Sequence, residues 1–180
     1  GLGASTRLTS NVQGLSGPGT AKLDFTRLAI DLSQRDRFEN KWGTAISVGG
    51  QVSGDSLATS ERVSFGGSRY GRGYAAGDAS GDSGAGIGLE LNRAFAHDSQ
   101  WLRQIEPYLL AEAAHVSTHI GRPAPRDLRS VALGVRLSDA RHYSLDVAVA
   151  KPTGDASPDN PQRHERVSLL LSYQLEGLLR

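Results

Sequence analysis

The chain has 180 residues, 38% of them hydrophobic, with 20 Lys and Arg against 19 Asp and Glu for a formal charge of +1. A single domain is expected at this length, and the near-neutral balance leaves no basic excess for phosphate neutralisation, so nucleic acid is not an expected partner. Cysteine and methionine are both absent; disulfides and thiolate metal sites are thereby excluded, and with no secretory leader at the start a fragment or a processed product is expected.

No apolar run reaches the ~18 residues of a transmembrane helix. Alternation with a period of two recurs along the chain instead, which is the pattern of half-covered strands. A first strand is expected over 2–12, where Leu2, Thr6, Leu8 and Val12 oppose Ser5, Arg7, Thr9 and Asn11. The second, over 21–33, changes face near Thr26–Leu28, as a bulge would make it do. The third spans 42–53, with Trp42, Thr44, Ile46, Val48 and Val52 against Gly43, Ala45, Ser47, Gly49 and Gln51. Beyond a long connection over 54–84, Ile87, Leu89 and Leu91 oppose Gly86, Gly88, Glu90 and Asn92 in a strand over 85–95. A fifth, over 104–117, is fairly apolar on both faces. The last three are read over 129–138, 142–151 and 163–175, the final one carrying Val167, Leu169, Leu171, Tyr173 and Leu175 on one face.

The second face of these strands is built from Gly, Ala, Ser and a few charges rather than the Lys and Glu of a solvated soluble sheet. Aliphatics on one side and small polar residues on the other suit the wall of an antiparallel transmembrane β-barrel, whose backbone groups all pair within the sheet. The connections agree. Roughly 13–19, 54–84, 118–128 and 152–162 include the long, Gly- and Pro-rich ones, whereas 34–41, 96–103 and 139–141 are shorter on average and lack both. Long loops outside and short turns at the periplasm are the outer-membrane pattern. That orientation places the C-terminus in the periplasm and puts Trp42 and Trp101 where an aromatic girdle is expected.

The 54–84 connection is long enough to be functional. Its centre reads Phe65-Gly66-Gly67-Ser68-Arg69-Tyr70-Gly71-Arg72-Gly73-Tyr74. Here the chain resembles the C-terminal half of the sixteen-stranded barrel of two-partner secretion transporters, the haemolysin-activator and haemagglutinin-secretion type. That family carries a Gly-Gly…Val-Arg-Gly-Tyr/Phe motif in the loop before its last five strands. Gly66, Gly67, Arg72, Gly73 and Tyr74 match it, with Gly71 in the place of Val. Of a second family motif, Phe-x-Asp-x-Gly after Pro-Tyr, Pro107-Tyr108 match, and Leu110, Glu112 and Ala114 stand in for Phe, Asp and Gly, the acid being one methylene longer.

The resemblance implies a loop folded back into the barrel, with Arg72 pairing Glu112 inside through a guanidinium fork. It also implies a bacterial outer-membrane location, a secreted partner protein, contact with outer-membrane lipid and lipopolysaccharide, and no cofactor. A barrel-assembly factor of the same superfamily, or a small self-closed structural or adhesive barrel, stand as alternatives. No catalytic constellation is present. The five histidines lack metal-ligand spacing, since His115 and His119 would fall together only on a helix. Asp146 reads as a lumenal charge, and Asp155, Asp159 and Asn160 as an exposed loop where a divalent ion or lipopolysaccharide could touch.

Overall fold

The computed structural model describes residues 2–10 (backbone only), 25–99, 101–123 and 125–174. The sequence-based strand ends at 11–12, 21–24 and 175, and the first connection over 13–19, lie outside them. Eight long strands form an antiparallel meander: β1 (Leu2–Ser10), β2 (Thr26–Arg37), β3 (Trp42–Ser53), β6 (Ser83–Arg93), β8 (Gln104–Ser117), β9 (Asp127–Ser138), β10 (Tyr143–Pro152) and β11 (Arg166–Tyr173). Each pairs with its neighbour in chain order, while β7 (Phe95–Ala96) adds a short pairing beside Ile105 and Gln104 of β8. The remaining two, β4 (Val63–Phe65) and β5 (Ala79–Gly81), form a separate hairpin. β1 and β11 end the sheet, which is not closed.

The second strand departs from the expectation. It runs to Arg37, paired with β1 from Thr26 to Gln34 and with β3 from Arg27 to Arg37, and no bulge breaks the register at Thr26–Leu28. The polar run Ser33–Arg37 looks like a turn by composition. It is strand because Arg37 points inward to an acid, donating from Nη2 to Glu106 Oε2 at 2.8 Å, while Gln34 bonds Asp36 across one residue at 2.7 Å. The turn shrinks to 38–41, where Lys41 takes a positive φ and the Phe38 N–H reaches the Trp42 carbonyl.

The two faces differ sharply. On the face away from the β4–β5 hairpin, Leu133 is 66% exposed, Leu169 68% and Val52 68%, among a continuous aliphatic surface that includes Ile46, Leu89, Leu109 and Val149. A water-soluble sheet does not leave such a face open. Along β9 the outward residues between Arg129 and Leu137 rise roughly 20 Å, at ~3.3 Å per residue and a ~40° tilt, close to the ~25 Å apolar band of outer-membrane barrels. At the end carrying the short turns, Trp42, Phe95, Trp101 and Tyr143 gather, with Arg93 lying over the Trp42 and Phe95 rings at 5.3 and 5.0 Å. Among the described residues no helix is long and apolar enough to cross a membrane.

The other face holds the buried residues. Val63, Phe65, Tyr70, Tyr74 and Ala79 of the 54–82 segment pack against Ala114, Val116 and Leu128 of the wall. Tyr108, Leu110, Ala132, Ala148 and Ala150 make a second patch, on the wall itself. The long connection is therefore folded onto the inner face, where it finds the apolar cover that water would deny it.

Candidate functional site

The in-folded segment is positioned first by its base. Asp82, 1% exposed, accepts the Leu57 N–H at 2.8 Å, Arg62 Nε at 3.2 Å and the His119 N–H at 2.8 Å. A buried carboxylate is stable only when so supplied, and here it ties both ends of the segment to the 118–126 loop. Beyond the 3₁₀ turn Thr59–Glu61, the β4–β5 hairpin lies against β6 and β8. Between its strands the chain makes a compact excursion, with a bridge between Gly66 and Arg69 and another between Gly67 and Gly71.

Contact with the wall needs space. The Tyr70 ring lies over Gly86 of β6, where an added Cβ would come within 2.5 Å of it. At Gly73 an added Cβ would stand 2.6 Å from the Pro152 nitrogen, so the loop backbone touches β10 directly, as only glycine permits. Tyr74 then reaches past the strand end. Its hydroxyl donates to the Asp155 carbonyl at 3.0 Å and accepts the Gly154 N–H at 3.1 Å. Gly66 and Gly67, the other expected motif residues, turn the chain with φ of 113° and 63°.

Arg72 sits between these anchors, but the expected guanidinium fork to Glu112 is not what forms. Glu112 Oε2 accepts the backbone N–H of Arg72 at 2.7 Å and the Ser130 hydroxyl at 3.0 Å. The guanidinium goes elsewhere: Arg72 Nη1 donates to the Tyr108 hydroxyl and, at 3.2 Å, to Asp146 Oδ2. The Tyr108 hydroxyl in turn donates a hydrogen bond to Asp146 Oδ1 at 2.7 Å. Geometry explains the correction. With its main-chain nitrogen already against Glu112, Arg72 extends its side chain across the Tyr108 ring, 5.6 Å from the centroid, towards β10. Arg72 and Asp146 are 18% and 16% exposed, so this pair is shielded enough for the loss of one partner to be costly.

The Arg72 contact opens onto a longer polar network. Arg136 also lies over the Tyr108 ring, 4.2 Å from its centroid. It holds Glu90 through both terminal nitrogens, at 2.7 and 2.6 Å, and Glu106 at 3.1 Å. Its Nε lies 3.8 Å from Asp146 Oδ2, and Arg37 and Gln104 complete the coordination of Glu106. Three cations (Arg37, Arg72, Arg136) thus face four carboxylates (Glu90, Glu106, Glu112, Asp146). Such a group can clamp a segment and line a polar passage. No nucleophile–base pair is arranged within it.

Asp146, Tyr108 and Arg136 as a cluster were missed by sequence reasoning. Their signal was the strand register, because Asp146 lies directly across from Arg136 and Arg136 from Glu106. Three adjacent strands thus carry one inward row of alternating charge. The histidines are engaged separately, His115 Nδ1 with Asp127 at 2.7 Å and His119 Nε2 with the Ser53 carbonyl at 3.0 Å.

An aliphatic outward face, an inner polar network and a loop clamped against it define an antiparallel β-barrel wall of the outer-membrane type. The haemolysin secretion/activation protein family, ShlB/FhaC/HecB, matches residues 2–137. The chain belongs to that family, whose members are outer-membrane transport proteins. Among solved structures, CdiB from Escherichia coli is similar with a TM-score of 0.69 at 18% identity, over 94% of this chain and 33% of that one. CdiB from Acinetobacter baumannii is similar with a TM-score of 0.64 at 17% identity, over 82% and 27%. The chain therefore spans a third or less of those proteins, and the likeness is one of fold. No curated protein matches it in sequence.

Proposed function

We propose that this chain is the C-terminal half of the wall of a protein-conducting channel that secretes a partner protein across the outer membrane. The short turns face the periplasm with the C-terminus, and the long loops face outward. Arg72, seated through Glu112, Tyr108 and Asp146, holds the 54–82 segment across the passage, and its release widens the path. The motion is driven by the cargo itself: an extended chain enters from the periplasm and folding outside draws it forward. Gly66, Gly67, Gly73 and Tyr74 shape and anchor the segment.

The observation that supports this reading is the convergence of two wall strands, β8 through Glu112 and Tyr108 and β10 through Asp146, on one loop arginine, which a passive wall would not require. The test uses the full-length transporter with its cognate partner. Arg72→Ala is expected to lower the partner's export severalfold while the barrel still reaches the membrane as a heat-modifiable band. Export at the unaltered level by that variant, and by Asp146→Asn, would remove the loop clamp from the mechanism.

A further inference from the structure

The outward face carries one departure from its aliphatic pattern. At the long-loop end of β6, β8 and β9 the outward residues become small or ionisable, with Ala85 beside His115 and Asp127, then Ala113 beside Arg129. One row further towards the turns, Ala111 and Val131 stand in line with Lys151 of β10. The small side chains leave a groove of about 370 Å³ whose lining includes Ala85, Ile87, Ala113, His115, Asp127 and Arg129, within the ~300–1,000 Å³ of ligand-sized sites.

The charges around this groove are not equally committed. His115 is occupied by Asp127 at 2.7 Å. Lys151 touches Glu165 at 2.8 Å, both more than half exposed, a pairing easily exchanged for a stronger anion. Arg129 is exposed, and its guanidinium makes no hydrogen bond or ion pair among the described residues. Diagonal positions on neighbouring strands stand ~7 Å apart, so Arg129 and Lys151 can reach a single phosphate together. A free guanidinium is a good partner for phosphate oxygens, which it can grip with two parallel N–H groups.

We propose that this groove binds a phosphorylated lipid of the surrounding leaflet, its phosphate on Arg129 and Lys151 and an acyl chain along Ala85, Ala113 and Ile87. Both halves of the site are needed to choose the occupant. A soluble anion would leave the apolar groove empty, and an uncharged lipid would leave Arg129 unpaired at the edge of the hydrocarbon. At the opposite end of the wall, the Arg93 guanidinium is engaged over the Trp42 and Phe95 rings. The inference rests on the membrane-wall reading, and not on what the channel carries.

The experiment titrates the delipidated full-length transporter, in detergent, with a diphosphorylated glucosamine lipid, the same lipid dephosphorylated, and inorganic phosphate, reading bound lipid by native mass spectrometry. The phosphorylated lipid is expected to bind at least roughly tenfold tighter than its dephosphorylated form, the scale of a charge-assisted bidentate contact. Arg129→Gln with Lys151→Gln should abolish that difference, and Ala113→Phe should weaken the lipid by filling the groove. Unchanged lipid binding in the Gln variants, or full competition by inorganic phosphate, overturns the proposal. All variants are checked for heat-modifiable migration. Export of the partner is measured in parallel: lipid binding without export counts against the channel reading, and export without Arg129-dependent binding counts against this site alone.

Discussion

Two carboxylates hold Arg72, and they differ in kind. The Glu112 carboxylate binds its backbone N–H, which any residue but proline would supply there, whereas Asp146 binds the guanidinium, which only arginine supplies. The two acids should separate in a double-mutant cycle. Arg72→Ala combined with Asp146→Asn is expected to be non-additive by ~0.5–3 kcal/mol, the range for residues sharing one network. Arg72→Ala with Glu112→Gln should be additive to within a few tenths of a kcal/mol. Denaturant unfolding of the reconstituted transporter measures both, and equal coupling in the two cycles would reverse the assignment. Gly73→Ala tests the close approach to β10, since the added methyl meets the Pro152 nitrogen at 2.6 Å. It is expected to cost ~1–3 kcal/mol, as overpacking does, and to raise single-channel conductance by loosening the segment.

At the scale of an element, the β9–β10 turn shows how a short connection is stiffened. Asp139 Oδ1 accepts the N–H groups of Arg141, His142 and Tyr143 at 3.0, 2.7 and 3.0 Å, while Oδ2 meets the His142 ring at 2.9 Å. Desolvation pushes this carboxyl up, but the three N–H groups and the imidazole together hold it well below the usual carboxylate range. A depressed carboxyl stabilises the fold above the unfolded-state value of about 3.9, and that contribution fades as pH falls further. The stability advantage of wild type over Asp139→Asn should therefore be present at neutral pH and narrow below about pH 4, read by thermal unfolding across a pH series. A gap that widens in acid would contradict the turn's wiring. Strand β2 makes the complementary point. Its last residues are polar because their inward members answer acids across the sheet, as Arg37 answers Glu106.

For the whole molecule, the decisive question is what solvent the outward face meets. Leu133 lies midway along the outward row of β9 and is 66% exposed. In water, Leu133→Arg would be nearly neutral, within about ±0.5 kcal/mol for a surface site. In a bilayer the same change at mid-depth is expected to cost ~2–4 kcal/mol, and Val52→Arg, near the long-loop end, distinctly less. Folding of the full-length protein into lipid vesicles against denaturant reads this depth profile, and a flat profile would argue against a membrane wall. The two edges that find no partner strand among the described residues, β1 and β11, carry open backbone groups of the kind that seeks another strand.

The antiparallel all-β wall was legible in the residues themselves. A period of two is a local property, and Trp42 to Val52 or Tyr143 to Val149 display it without reference to any partner. The loop motif around Arg72 was legible for the same reason, as a contiguous string. What a single strand cannot disclose is which inward residues of different strands share a row. The alignment of Glu106, Arg136 and Asp146 depends on register, and the path of the Arg72 side chain depends on where its backbone is seated. Those relations arise between segments far apart in the chain, so the choice of Asp146 over Glu112 was left to the tertiary structure.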